Sequence, residues 1–190
     1  MLTFIGLDFP GDPARNRLET PKRAATLRAL QDFFHTTPAQ AFLMLDDDAL
    51  STANPHRGRT LVISSHGNPR SFGTYAPEAF LDLLVGKGFE QGSFEAIYLM
   101  SCNSADAPED SGVVTNFAIE LKRLMVLRGI DCKVYGTRGK LSFELESHDA
   151  GGGSVYYTTL SMCIRSPSED PRLSGHTYGL DEGLLLAQVA

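Results

Sequence analysis

The chain has 190 residues, 42% of them hydrophobic and 21% charged, with a net charge of −6. That length suits one well-buried domain, and the composition sets aside disordered, collagen-like and membrane-embedded classes. No apolar run approaches the roughly 20 residues needed to span a bilayer, and the acidic balance argues against nucleic acid as the main partner. The cysteines at 102, 132 and 163 form no CxxC pair and suit neither a disulfide framework nor a zinc ribbon, so a reducing compartment is expected.

Thr3 to Phe9 reads as a first strand, apolar almost throughout and ended by Pro10, Gly11 and Pro13. Thr20 and Pro21 look like an N-cap and first-turn proline, opening a helix whose stripe of Ala24, Leu27, Leu30 and Phe34 carries it to about His35. Ala41 to Leu45 is a second short strand closed by Asp46, Asp47 and Asp48, which are expected to be a solvated strand end rather than a metal site. A polar loop follows from Leu50 to Arg59.

Two stretches then share one design. Residues 60 to 67 are an apolar, β-branched run ending in Ser65-His66-Gly67, and residues 94 to 104 are a similar run ending in Ser101-Cys102-Asn103. Between them Phe80, Leu81, Leu84 and Val85 lie at helical spacing after Pro77 and before Gly86. A strand, helix, strand unit with a right-handed crossover leaves its strands parallel. If they are neighbours, His66 and Cys102 leave the same end of the sheet, where open α/β sheets place their sites.

Residues 103 to 112 are small, acidic and proline-broken and read as an exposed loop; Val113, Phe117, Leu121, Leu124 and Met125 make a further amphipathic helix ending near Gly129. Cys132 to Tyr135 is the next strand. Leu141 to Glu146 and Val155 to Ile164, with Gly151 to Gly153 between them, read as an antiparallel hairpin beside the sheet or flap-like near the site. Ser166 to Gly179 is expected to be a surface loop and Leu180 to Val189 a short helix. The alternation of strand and helix predicts an α/β three-layer sandwich with a mainly parallel sheet. Residues 1–165 form the body of that domain, and 166–190 its C-terminal loop and helix.

A thiol attacks an acyl carbon well only as thiolate, so Cys102 needs an adjacent base, which His66 supplies. His66 can afterwards protonate the leaving amine. The backbone N–H groups of Gly67 and Cys102 are placed to hold the oxyanion if the strands lie side by side. Cys132 and Cys163, within or beside apolar strands, read as structural thiols, and His35, His56, His148 and His176 as surface residues.

This pattern of apolar strand, Ser-His-Gly, helix, apolar strand and Ser-Cys resembles the clan CD cysteine peptidases, which have a caspase-like fold. In style it is closest to the self-processing cysteine protease domains of large secreted toxins. The resemblance implies a cysteine endopeptidase with His66 and Cys102 as its dyad, acting on a protein or peptide substrate with no cofactor required for the chemistry. It further implies Asp8 as an orienter of His66, and an anionic activator such as inositol hexakisphosphate bound near Lys133, Arg138 and Lys140, with Lys122, Arg123 and Arg128 nearby. Met100-Ser101-Cys102-Asn103 lacks the Gln-Ala-Cys-x-Gly caspase signature, so a preference for aspartate is not implied. Two other readings stay open: a non-catalytic α/β binding module with the same sheet, and a thiol-dependent acyl hydrolase or transferase. Met1 to Phe9 carries no basic leader, so a Sec-type signal is not expected; a cytoplasmic location, or export as an effector without such a signal, is.

Overall fold

A computed structural model of the chain describes residues 2–7, 12–34, 41–42, 50–54, 58–106, 115–165 and 186–189, without the side chains of 33, 41–42, 161–165 and 186–189. Its main sheet has six strands. In chain order these are β1 (Leu2–Gly6), β2 (Ala41–Phe42), β3 (Thr60–Ser64), then, after the small hairpin of β4 (Gly67–Asn68) and β5 (Ser71–Phe72), β6 (Ala96–Met100), β7 (Lys133–Thr137) and β10 (Leu186–Val189). They lie in the order β10-β7-β6-β3-β1-β2, all parallel except β10, which runs antiparallel to β7. A separate two-stranded ribbon is built from β8 (Lys140–Gly151) and β9 (Ser154–Arg165).

Among the described residues three helices cover this sheet: α1 (Pro13–Phe33), α2 (Pro77–Gly86) and α3 (Phe117–Leu127). Strand pleating assigns each its face. Ile5, Leu61, Ile63, Ile97 and Leu99 point to one side, where they meet Phe80, Leu81 and Leu84 of α2 and Phe117, Leu121 and Met125 of α3. Phe4, Val62 and Met100 point to the other, against Leu27 and Leu30 of α1 and Leu141 and Phe143 of the ribbon. Because both faces are covered, the inner positions of the central strands, such as Leu61 to Ile63 of β3, are apolar without alternation. The ribbon is tied to α1 directly: Arg28 Nη2 donates to Tyr157 O at 3.0 Å and Thr159 Oγ1 to Ala25 O at 3.0 Å.

Several sequence expectations need correction. α1 starts at Pro13, capped by the Asp12 side chain, which accepts the Arg15 N–H at 2.9 Å, so Pro21 lies inside the helix rather than at its first turn. Asp-Pro is itself a good helix start, and Pro21 inside the helix removes the bond that its missing N–H would have made one turn back and sets its ring against the carbonyl of Arg17. Residues 186–189 form a strand, not the end of a helix; pairing with the open edge of β7 decides an apolar run that either state could accept. The stretch after Cys102 is not exposed over its first residues, since Ser104 and Ala105 are buried. The loop Ser166 to Gly179, the acidic run Asp46 to Asp48, and His35, His56 and His176 lie outside the described residues. Among the described residues, no helix is long and apolar enough to cross a membrane.

Candidate active site

β3 and β6 are neighbours in register, and their last paired residues are Ser64 and Met100. His66 and Cys102 each stand two positions further along, at the carboxyl end of the sheet. Adjacent strands are about 4.8 Å apart there, and both residues line one cavity of about 400 Å³. Its walls come from three sources: the ends of β1 and β3, the second to fourth turns of α1, and the start of β8.

Cys102 sits on a sharp turn. Asn103, immediately after it, has φ of +55°, the one positive value among the described non-glycine residues, and asparagine tolerates that region better than most side chains. The turn is stitched to the end of β7. Asn103 N–H donates to Gly139 O at 2.7 Å and Ala105 N–H to Thr137 O at 3.1 Å. Ser104, fully buried, donates to Leu99 O at 3.1 Å and accepts the Thr137 N–H at 2.9 Å. Asp106 Oδ2 accepts the Gly139 N–H at 2.6 Å. These bonds fix the backbone that carries the thiol. Cys102 is half-buried, and its S–H donates to Leu141 O, 3.3 Å away at the base of β8. No backbone carbonyl among the described residues takes the Cys102 N–H.

His66 is exposed at the cavity rim. Its carbonyl accepts the Gly73 N–H at 2.6 Å, which closes the β4–β5 hairpin behind it. Asn68 Oδ1 shapes the turn by accepting the N–H groups of Arg70 and Ser71 at 2.8 and 3.0 Å. Gly67 pairs with Phe72 in this hairpin, one step from the Asn68–Ser71 pair at the turn. Antiparallel pairs alternate between bonded and non-bonded, and in a two-residue hairpin the pair at the turn is bonded, which turns the Gly67 N–H away from Phe72. The site also requires a glycine there: a Cβ on Gly67 would lie 2.6 Å from Ser101 Oγ and 3.0 Å from Ser71 O.

Of the other expected site residues, Asp8 lies outside the described residues. Lys133 opens β7 while Arg138 and Lys140 follow it, so β7 separates Lys133 from that pair by about 16 Å of strand rise. None of the three lines the cavity. Lys122 donates to Cys132 O at 3.0 Å, Arg123 pairs with Glu120 at 2.6 Å and Arg128 with Asp82 at 2.6 Å. Among the described residues, no group of three or more His, Cys, Asp or Glu side chains is placed to hold a metal ion.

The cavity contains residues that sequence reasoning passed over. Arg23 is only 9% exposed yet lines it, as do Glu19, Lys22 and Thr26 of the same helix. The signal was present: Arg23 falls four and seven residues before Leu27 and Leu30, which puts a charge in the apolar stripe of α1. Ser101 is the second. Its buried hydroxyl, like that of Ser65, has no partner among the described residues and rests against Gly67.

Cys132 makes a chemical contrast with Cys102. It is buried, and burial pushes its thiol up to about 12, with the positive Lys122 opposing the shift. Iodoacetamide at neutral pH is therefore expected to label Cys102 well before Cys132, as read by peptide mapping. The same shift sets a pH dependence. Between the ordinary value of 9.0 and about 12 the unfolded chain has released this proton and the folded chain has not, so stability falls with rising pH. The loss reaches about 4 kcal/mol at the top of that window, and Cys132→Ala should flatten the decline in an alkaline denaturation series.

No protein-family model matches the chain, and neither a curated protein nor a solved structure matches it.

Proposed function

We propose that this chain is a cysteine endopeptidase with a caspase-like sheet, using His66 and Cys102 as its dyad. The observation that supports it is the placement of an imidazole and a thiol at in-register ends of adjacent parallel strands, facing one cavity. In the reaction, His66 takes the Cys102 proton, and the thiolate adds to the scissile carbonyl carbon. The N–H groups of Gly67 and Cys102 hold the oxyanion. The C–N bond breaks, His66 gives the proton to the departing amine, and a thioester remains. Water, deprotonated by His66, then hydrolyses the thioester, releasing the acid and restoring the thiol. The S–H to Leu141 O bond must give way first, so substrate binding displaces the base of β8 or rotates the thiol.

That bond also favours the rival reading of a non-catalytic binding module, because it holds the sulfur against the protein's own backbone. Incubating the full chain with a library of fluorogenic peptides separates the two. Cleavage that disappears in Cys102→Ala supports the peptidase. No cleavage, together with a rate of Cys102 alkylation unchanged by His66→Ala, would leave only the binding module. A finer expectation concerns Gly67→Ala. The added methyl pushes the His66 hairpin away from Ser101, and a displacement near 1 Å is expected to lower kcat by about 100-fold. A wild-type kcat in this variant would remove Gly67 from the oxyanion role.

A further inference from the structure

We infer that Ser101 is a positioning residue for the dyad: its hydroxyl donates to Ser71 O when a peptide occupies the site, and so locks the hairpin that carries His66 and Gly67 to the end of β6. The inference rests on the peptidase reading and adds to it a group that works only in the loaded enzyme.

Ser65 and Ser101 directly follow Ser64 and Met100, the last paired residues of β3 and β6, and each directly precedes a member of the dyad. Ser101 is fully buried, and neither its hydroxyl nor that of Ser65 has a hydrogen-bond partner among the described residues. A buried hydroxyl in that state carries its full desolvation cost, so folded chains keep few of them. Crowding explains why Ser101 finds no acceptor on its own strand. Leu99 O, which takes the Ser101 N–H at 3.1 Å, also takes the hydroxyls of Ser104 at 3.1 Å and Thr137 at 3.2 Å. Three donors leave a carbonyl with two lone pairs no room for a fourth.

An acceptor stands close by on the hairpin. Ser101 Oγ and Ser71 O lie 2.6 and 3.0 Å from the one point where a Gly67 Cβ would be, so hydroxyl and carbonyl flank the same space. Glycine at 67 keeps the line between them clear. Ser71 pairs with Asn68 across the turn, and that ladder bond uses one of the two lone pairs of its carbonyl. The second can take an O–H.

The hairpin is fixed at one side and less so at the other. Pro69 O accepts the Phe117 N–H at 2.7 Å, and the Phe72 backbone is bonded in both directions to Tyr75. Over the two serines the legs rest on contact instead: Gly67 lies against the Ser101 hydroxyl, and Gly73 over that of Ser65, which a Cβ there would approach to 3.1 Å. A small turn of the legs about the fixed side brings Ser71 O to the Ser101 O–H. The same turn carries Gly67 towards β6, where its N–H joins that of Cys102 in holding the oxyanion. A hydrogen bond made only in that arrangement speeds the chemical step without tightening the binding of substrate.

The test is Ser101→Ala in the full chain, which removes Oγ and leaves Cβ in place. Measured are kcat and KM on the best fluorogenic peptide of the library, and the melting temperature without peptide. The expected result is kcat lower by about 10-fold, the worth of one neutral hydrogen bond, with KM little changed and Tm unchanged or higher, because a hydroxyl without a partner has gone. A serine whose hydroxyl is bonded in the peptide-free protein behaves in the opposite way, losing roughly 2 to 4 °C of Tm and keeping its kcat. In a Gly67→Ala background the methyl blocks the line to Ser71 O, and Ser101→Ala should lower kcat no further. A kcat within about twofold of wild type in Ser101→Ala, a loss confined to KM, or a Tm lower by about 2 °C or more overturns the inference and leaves the peptidase reading standing, since peptide is still cut. If no peptide is cut and His66→Ala leaves Cys102 alkylation unchanged, the peptidase reading fails and the inference falls with it.

Discussion

Cys102→Ala is expected to remove peptide cleavage altogether, and His66→Ala to lower kcat/KM by about 100- to 10,000-fold, the usual worth of a positioned general base. The two effects differ because the groups do different work. Without sulfur at position 102 there is no covalent intermediate, and the oxyanion donors have nothing to stabilise. Without imidazole at position 66 the thiol can still ionise slowly to solvent, and the amine can still leave with a proton from water. The double variant should therefore be no worse than Cys102→Ala alone, since groups that act as one unit do not add. Steady-state rates on the best library peptide, with circular dichroism as a check on folding, measure all three. Near-wild-type turnover in either single variant would end the dyad assignment. His66 is exposed and Cys102 half-buried, so neither substitution opens a large hole in the core.

The parts of this architecture that could be read from residues alone are those in which local pattern and tertiary role agree. Leu61, Val62 and Ile63 are apolar at consecutive positions, and Ile97, Leu99 and Met100 flank Tyr98, because each strand is buried on both faces, and that continuity marks them as central parallel strands. The crossover through α2 then places His66 and Cys102 at one end, as topology alone requires. Where two local signals compete, the reading slips. Asp12-Pro13 and Thr20-Pro21 are both plausible helix starts, and the structure uses the first. The β4–β5 hairpin is too short to leave a period; its signal is the Asn68 side chain closing a turn before Ser71. β10 depends on an edge of β7 that lies about 50 residues away in the chain, a non-local contact that propensity does not encode. Arg23 was hidden differently: a helix stripe is read by its apolar members, and a charged one within it is easily assigned to solvent.

Phe72→Ala is expected to destabilise the fold by about 3 to 5 kcal/mol, the range for truncating a buried phenylalanine, and to lower Tm by roughly 6 to 20 °C for a domain of this size. Phe72 is fully buried, with its ring 5.1 Å from that of Phe80 in α2 and 5.7 Å from that of Phe117 in α3. Phe80 and Phe117 are themselves 5.5 Å apart, so the three rings form a closed cluster under the carboxyl end of the sheet. The backbone joins the same point, since Phe117 N–H donates to Pro69 O at 2.7 Å. Phe72 thus anchors the hairpin that carries His66 and Gly67 to both helices on that face. Removing the ring leaves a cavity and also frees the hairpin, so kcat should fall at temperatures well below the new melting point. Phe72→Leu, which fills more of the space, should recover part of both losses. A Phe72→Ala protein that melts within about 2 °C of wild type, less than the shift from 1 kcal/mol, would show that the cluster is not what holds the hairpin. Normal turnover in a variant that melts much lower would instead separate the packing of Phe72 from the position of His66.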